Sequence, residues 1–249
     1  MAVCEIHFSA NQSLGRMTSA TVIFPEGKPG PFPVIYLLHG MSDDHTAWVR
    51  RTSIERYVEG LPLIVVMPNG DRSHFVDAKH RVYSAYDTYI TRDLAGFVDA
   101  TFRTVPGRKG RVIAGLSMGG YGALSVALRH PDMFCAASSH SGAVLACHKP
   151  IKPGRLAEFR TLFGPRPMGG PYDLVALIRG MDRARLPALR IDCGRKDFLL
   201  PWNREFHRIL NRMKVPHVYS EYPGRHNWEY WDLHIRDTLK FFVRELRLQ

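Results

Sequence analysis

The sequence predicts an α/β fold with a mostly parallel central sheet and helices on both faces. Three observations predict it. Short apolar runs recur along the chain, segments of helical spacing lie between them, and the runs close on Gly, Pro or Asn turn signals. Residues 18–24 alternate apolar and polar, the pattern of a half-buried strand. Residues 33–38 form a continuous apolar run ending at His39-Gly40. Residues 61–67 form another ending at Pro68-Asn69-Gly70, and residues 111–114 a third ending at Gly115. Residues 134–138, 188–192 and 217–222 are weaker members of the set. Continuous runs of this length suit parallel strands covered on both faces.

Helices are predicted between them. Residues 86–102 place Ile90, Leu94, Phe97, Val98 and Phe102 near helical spacing. Residues 118–129 are rich in Gly, Ala and Leu, as a helix packed closely on a sheet requires. Residues 202–213 and 230–246 complete the set. Two segments interrupt the alternation: a polar, aromatic loop at 71–84, and a long stretch at 145–186 rich in Gly, Pro and Arg. The second reads as a cap-like insertion within one domain spanning 1–249.

At 249 residues, with 45% apolar and 23% charged side chains, the chain is neither disordered, collagen-like nor a small disulfide scaffold. Cys4, Cys135, Cys147 and Cys193 are scattered and form no C-x-x-C pair, so no metal knuckle or redox motif is expected. The first residues show no basic start followed by an apolar run, so a cytoplasmic protein is expected. No apolar stretch approaches the roughly 18 residues of a membrane span, and no membrane association is expected. The formal charge is +11. Lys and Arg are spread along the chain, with no dense run beyond 103–111, so a basic surface is expected rather than a nucleic-acid site. Such a surface favours anionic substrates near a reactive site.

The strongest chemical signal is Gly115-Leu116-Ser117-Met118-Gly119-Gly120. It follows a predicted strand and opens a predicted helix, the context of a nucleophile elbow. A serine there needs a tight turn, glycines two before and two after to avoid backbone collisions, and the positive end of the helix near the reacting oxygen. It also needs a base oriented by an acid. Asp197 lies just beyond the 188–192 strand, where active-site loops gather. Asp192 falls in the strand or at its end, and Asp173 and Asp182 lie in the insertion, which makes them poorer choices. His226 follows the last strand, whereas His217 begins that strand and His234 lies within the final helix. Backbone N–H groups of Met118 and Met41 are the expected oxyanion donors, with Gly40 forming a close turn and His39 a structural turn residue. Trp48, Tyr121 and Trp228 are candidate pocket walls or core residues. No H-E-x-x-H, G-x-G-x-x-G or P-loop is present, so neither metal nor organic cofactor is expected.

Tyr36-Leu37-Leu38-His39-Gly40-Met41 with Trp48, Ile64-Val65-Val66-Met67-Pro68, the 114–123 elbow, Ser141-Gly142, Cys193-Gly194-Arg195-Lys196-Asp197 and His226-Asn227-Trp228 occur in this order. In these pieces the chain resembles the esterase D-like branch of α/β-hydrolases, which includes tributyrin and feruloyl esterases and S-formylglutathione hydrolases. The resemblance implies a catalytic triad of Ser117, Asp197 and His226, oxyanion donors at Met41 and Met118, and a small-molecule ester of short acyl chain as substrate. Thioester hydrolysis, as in an S-formylglutathione hydrolase, and feruloyl or acetyl-sugar ester hydrolysis are the alternatives within enzymes. A non-catalytic binding protein on this scaffold is the alternative of a different class. A homo-oligomer is compatible with each.

Overall fold

The computed structural model describes residues 1–248. Eight strands form one sheet: β1 (Ala2–Ala10), β2 (Arg16–Phe24), β3 (Val34–Leu38), β4 (Ile64–Pro68), β5 (Arg111–Leu116), β6 (Ala136–His140), β7 (Ala188–Gly194) and β8 (Val218–Tyr222). Their spatial order is β1-β2-β4-β3-β5-β6-β7-β8. β1 and β2 pair antiparallel along their whole length, and β2 pairs antiparallel with β4. From β4 to β8 every pairing is parallel. The predicted α/β class is therefore observed.

The sequence pattern explains the layering. Every residue of β3, β4, β5 and β6 is buried, because both faces of these strands are covered. Alternate side chains feed two cores. Val34, Tyr36, Leu38 and Ile113 point into one, with Tyr89, Leu94, Leu124 and Phe206. Ile35, Leu37, Val112 and Ala114 point into the other, with Trp48, Ile54, Trp231 and Phe242. The helices that cover these faces are α1 (Ala47–Arg51), α2 (Ile54–Tyr57), α3 (Tyr86–Thr88), α4 (Ala95–Thr101), α5 (Met118–Arg129), α6 (Leu156–Phe163), α7 (Leu174–Gly180), α8 (Leu200–Arg212) and α9 (Trp228–Glu245). A π-helical stretch, Tyr89–Leu94, joins α3 to α4, so the predicted helix at 86–102 is continuous.

β1 is an element the apolar runs do not reveal. Its signal is a period of two, with Glu5, His7 and Ser9 exposed and Phe8 and Ala10 buried. Residues 145–186 carry α6 and α7. Phe159, Leu162, Phe163 and Ile178 join the core on the α5 side, so the segment is packed rather than loose. Asp173 caps α7 by accepting from Val175 N at 3.0 Å, and the Tyr121 hydroxyl donates to Tyr172 O at 2.6 Å. The 71–84 loop is tied to α6 by Lys79 N donating to Leu162 O at 3.0 Å. Among the described residues no helix is long and apolar enough to cross a membrane.

Candidate active site

The carboxyl ends of the parallel strands bring together segments that are far apart in sequence, as open parallel sheets do. Ser117 is the residue between β5 and α5. Its φ of 53° and ψ of −112° lie in a region that side chains rarely occupy. The turn is held by Ser117 N donating to His140 O at 2.9 Å and by Ala143 N donating to Ser117 O at 3.1 Å. The flanking glycines are required by contact. A Cβ at Gly115 would meet Gly119 O at 2.4 Å, and one at Gly119 would meet His39 O at 2.5 Å. α5 thus starts directly behind the serine, with its unpaired first amides, Met118 among them, at the elbow.

Asp197 follows the end of β7, in a turn where Asp197 N donates to Gly194 O at 3.0 Å. Its Oδ1 accepts from Leu199 N at 2.8 Å, which leaves Oδ2 for His226. His226 sits in the loop after β8. That loop is pinned to the β7 turn by Arg195 N donating to Tyr222 O at 2.8 Å and Lys196 N donating to Gly224 O at 2.9 Å. The result is a continuous hydrogen-bonded chain. His226 Nδ1 lies 2.8 Å from Asp197 Oδ2, and His226 Nε2 lies 3.0 Å from Ser117 Oγ. The Asp197 side chain is fully buried and that of His226 is 16% exposed. A buried carboxylate, an imidazole and a hydroxyl so aligned can relay a proton away from the hydroxyl oxygen.

The loop after β3 approaches from the other side. A Cβ at Gly40 would stand 3.9 Å from Ser117 Cβ. Gly70 N donates to His39 Nε2 at 2.8 Å, so Nδ1 carries the proton and donates to Gly40 O at 2.6 Å. Burial pushes the His39 imidazole below its ordinary value and keeps it neutral. Asp43 N also donates to Gly40 O, at 3.3 Å. Because the peptide is trans, fixing the Gly40 carbonyl turns the Met41 N–H the opposite way. His39 is therefore a structural turn residue, as expected, and it sets the orientation of the Met41 amide.

Gly40, Met41, Ser117, His226 and Trp228 line one cleft of about 560 Å³. Trp48 and Tyr121 do not. Trp48 is fully buried, with Nε1 donating to Leu38 O at 3.1 Å and its ring set edge-on behind Trp228. Tyr121 is buried with its hydroxyl committed to the insertion. As candidate substrate contacts both are corrected to core residues: each is a large ring whose polar tip finds a backbone carbonyl inside the protein.

The cleft also contains residues that sequence reasoning missed. Phe198, 70% exposed, lies against His226 with ring centroids 4.5 Å apart. Trp231 packs edge-on to the same imidazole at 5.0 Å and donates from Nε1 to Ser141 Oγ at 3.3 Å. Phe198 directly follows Asp197, and Trp231 lies one helical turn after Trp228, so both had a positional signal. Arg51, Asp43, Glu229 and Arg155 supply the charged part of the lining. Among the described residues no group of three or more His, Cys, Asp or Glu side chains is arranged to hold a metal ion.

A model of the Esterase family matches residues 11–242. An acetyl esterase of Caldicellulosiruptor saccharolyticus is 27% identical over 266 residues, covering 98% of this chain and 99% of the relative. A solved structure of the fluorophosphonate-binding serine hydrolase F of Staphylococcus aureus, with substrate bound, superposes with a TM-score of 0.87 at 30% identity, over 97% of this chain and 98% of that one. An S-formylglutathione hydrolase of Staphylococcus aureus superposes with a TM-score of 0.82 at 30% identity, again over 97% and 98%.

Proposed function

Because the chain belongs to the Esterase family and is a serine hydrolase of carboxylic esters on the α/β-hydrolase fold, we propose that it hydrolyses short-acyl esters through Ser117, His226 and Asp197. The observation that carries this reading is the hydrogen-bonded chain from Asp197 Oδ2 through His226 to Ser117 Oγ. Ser117 Oγ attacks the ester carbonyl while His226 Nε2 takes its proton. The Met41 and Met118 amides hold the oxyanion as the carbonyl π electrons move onto oxygen. The tetrahedral adduct collapses, the C–O bond to the alcohol breaks, and His226 returns the proton to the leaving alkoxide. Water then repeats the sequence on the acyl-enzyme and releases the acid. Asp197 holds the His226 tautomer and stabilises the imidazolium. No cofactor takes part. Residues 145–186 serve as the cap that shapes the cleft, and the resemblance to an acetyl esterase supports a short acyl group.

The test is hydrolysis of p-nitrophenyl esters from acetate to octanoate, with Ser117→Ala in parallel. Turnover of the short esters, falling by about four orders of magnitude or more in the variant, is expected. A variant with wild-type rates overturns the assignment of Ser117; a folded wild type with no turnover leaves a narrow substrate such as S-formylglutathione or a non-catalytic scaffold, which fluorophosphonate labelling of Ser117 separates. The likeness to an S-formylglutathione hydrolase favours one second reading, thioester hydrolysis by the same machinery. A kcat/KM for S-formylglutathione far above that for p-nitrophenyl acetate selects it.

A further inference from the structure

The two guanidinium groups of the cleft differ from the other charges around them. Arg155 comes from the insertion, in the turn before α6, and reaches over the loop after β3, where Nη2 touches Met41 Sδ. A thioether is a weak acceptor for a group with five N–H donors. The carboxylate near Arg155 is Glu158, 3.7 Å from its Nε. Both oxygens of Glu158 are already engaged by Arg72, at 2.7 Å from Nε and 3.0 Å from Nη2. One carboxylate therefore serves two guanidiniums. The positive field is felt further in. The buried His74 imidazole is pushed down to about 4, by burial first and by Arg155 next. Arg51, at the end of α1, lines the same cleft and has no carboxylate within 4.0 Å among the described residues. Two acids line the cleft as well, and neither lies within 4.0 Å of Arg155 or Arg51 among the described residues. Glu229 lies in the first turn of α9, where a negative charge meets the helix N-terminus. Asp43 closes the turn at Gly40 through its backbone N–H, and its carboxylate faces the Gly40 Cα.

We propose that Arg155 and Arg51 form an anion-binding subsite of the cleft, and that the preferred substrate is an ester carrying a second, carboxylate-bearing arm held on the Met41 side. This rests on the reading of the Ser117 cleft as an ester-hydrolysing site. A carboxylate arm gives Arg155 the charge-assisted, two-pronged partner that Met41 Sδ cannot supply. It also places binding energy beside the loop that holds the Met41 amide, where orientation of the ester carbonyl matters most.

The experiment uses two ester pairs in a pH-stat, the members of each differing by a methyl replaced with a carboxylate. Methyl butyrate and monomethyl succinate place the carboxylate on the acyl side, whereas ethyl acetate and acetoxyacetate place it on the alcohol side. The wild type is expected to favour the anionic member of at least one pair by about tenfold in kcat/KM, chiefly through KM. In Arg155→Gln that ratio falls about tenfold, in Arg51→Gln by less, and about 0.5 M NaCl erodes it in the wild type. Equal kcat/KM within both pairs in the wild type overturns the subsite, as does an Arg155→Gln ratio equal to the wild-type ratio. Failure of the underlying esterase reading looks different: no turnover of either neutral ester, or Ser117→Ala matching the wild type.

Discussion

Two histidine–aspartate pairs lie at the ends of neighbouring strands, and only one of them is aligned with a hydroxyl in an open cleft. In the open pair, His226 Nδ1 and Asp197 Oδ2 are 2.8 Å apart in hydrogen-bond geometry, and the far ring nitrogen meets a hydroxyl at the floor of a cleft. In the sealed pair, His140 Nδ1 is 2.9 Å from Asp192 Oδ2, but the contact falls outside hydrogen-bond geometry and both side chains are fully buried. The far nitrogen of His140 meets Thr238 Oγ1 at 2.9 Å, which is itself bonded to Ser138 Oγ at 2.7 Å. Separation alone does not distinguish the pairs. Alignment, access and the identity of the third group do.

The largest effect that can break this comparison is expected at Asp197. In Asp197→Asn the amide presents a donor to His226 Nδ1, which forces the ring to carry its proton on Nε2, facing Ser117. The ring can then no longer accept the serine proton. A fall in kcat of about three to four orders of magnitude is expected with folding retained, measured on a short p-nitrophenyl ester beside a circular-dichroism melt. A loss smaller than about tenfold would remove Asp197 from the site.

The sealed pair should answer in stability rather than in rate. Asp192 accepts from Arg190 Nη1 and from the Tyr230 hydroxyl, the latter at 2.7 Å. Burial pushes the Asp192 carboxyl up, but His140, Arg190 and Tyr230 outweigh it and hold it below the usual carboxylate range. Asp192→Asn leaves Arg190, 3% exposed, without its counter-charge. A loss of about 3–5 kcal/mol in denaturant unfolding is expected, with kcat per folded molecule kept within about tenfold. If kcat instead collapses while stability holds, the division between the two pairs is wrong.

The difference between the pairs was partly legible in the sequence. Ser117, Asp197 and His226 each follow a strand in the order that an elbow, an acid loop and a base loop require, and position beyond the strand rather than within it chose Asp197 over Asp192. The strands of the parallel core were legible because burial on both faces leaves a continuous apolar run. β1 was not, because a strand exposed on one face shows only alternation. Trp48 and Tyr121 misled for a related reason. An aromatic near a motif in sequence can point away from it in space, and only the backbone carbonyls they reach, Leu38 O and Tyr172 O, reveal the direction. Arg155 could not be foreseen, since nothing in a Gly- and Pro-rich insertion states which residue folds back over Met41.

The buried His74 sharpens the comparison, because it has no hydrogen-bonded acid at all. His74 is 5% exposed, packs edge-on to Phe163 and Tyr121, and leaves Nδ1 without a partner. Its imidazole is pushed from 6.5 down to about 4 by burial and then by Arg155. With the folded value depressed, the unfolded chain takes up a proton as the pH drops below 6.5 while the folded chain stays neutral until about 4. The contribution is fully present above that window and is lost across it as the pH falls, on the order of 3 kcal/mol in total. His39, depressed by burial in the same direction, adds to the slope. His74→Asn removes the titration and keeps a residue tolerant of the local φ of 54°. The variant is less stable at neutral pH through lost packing, so the informative quantity is the slope of unfolding free energy against pH. Between about pH 6 and pH 4 that slope should fall by roughly 1 kcal/mol per pH unit relative to wild type. An unchanged slope would mean that His74 takes up its proton in the folded state as readily as in the unfolded one, and that the positive side of the cleft exerts no hold on it.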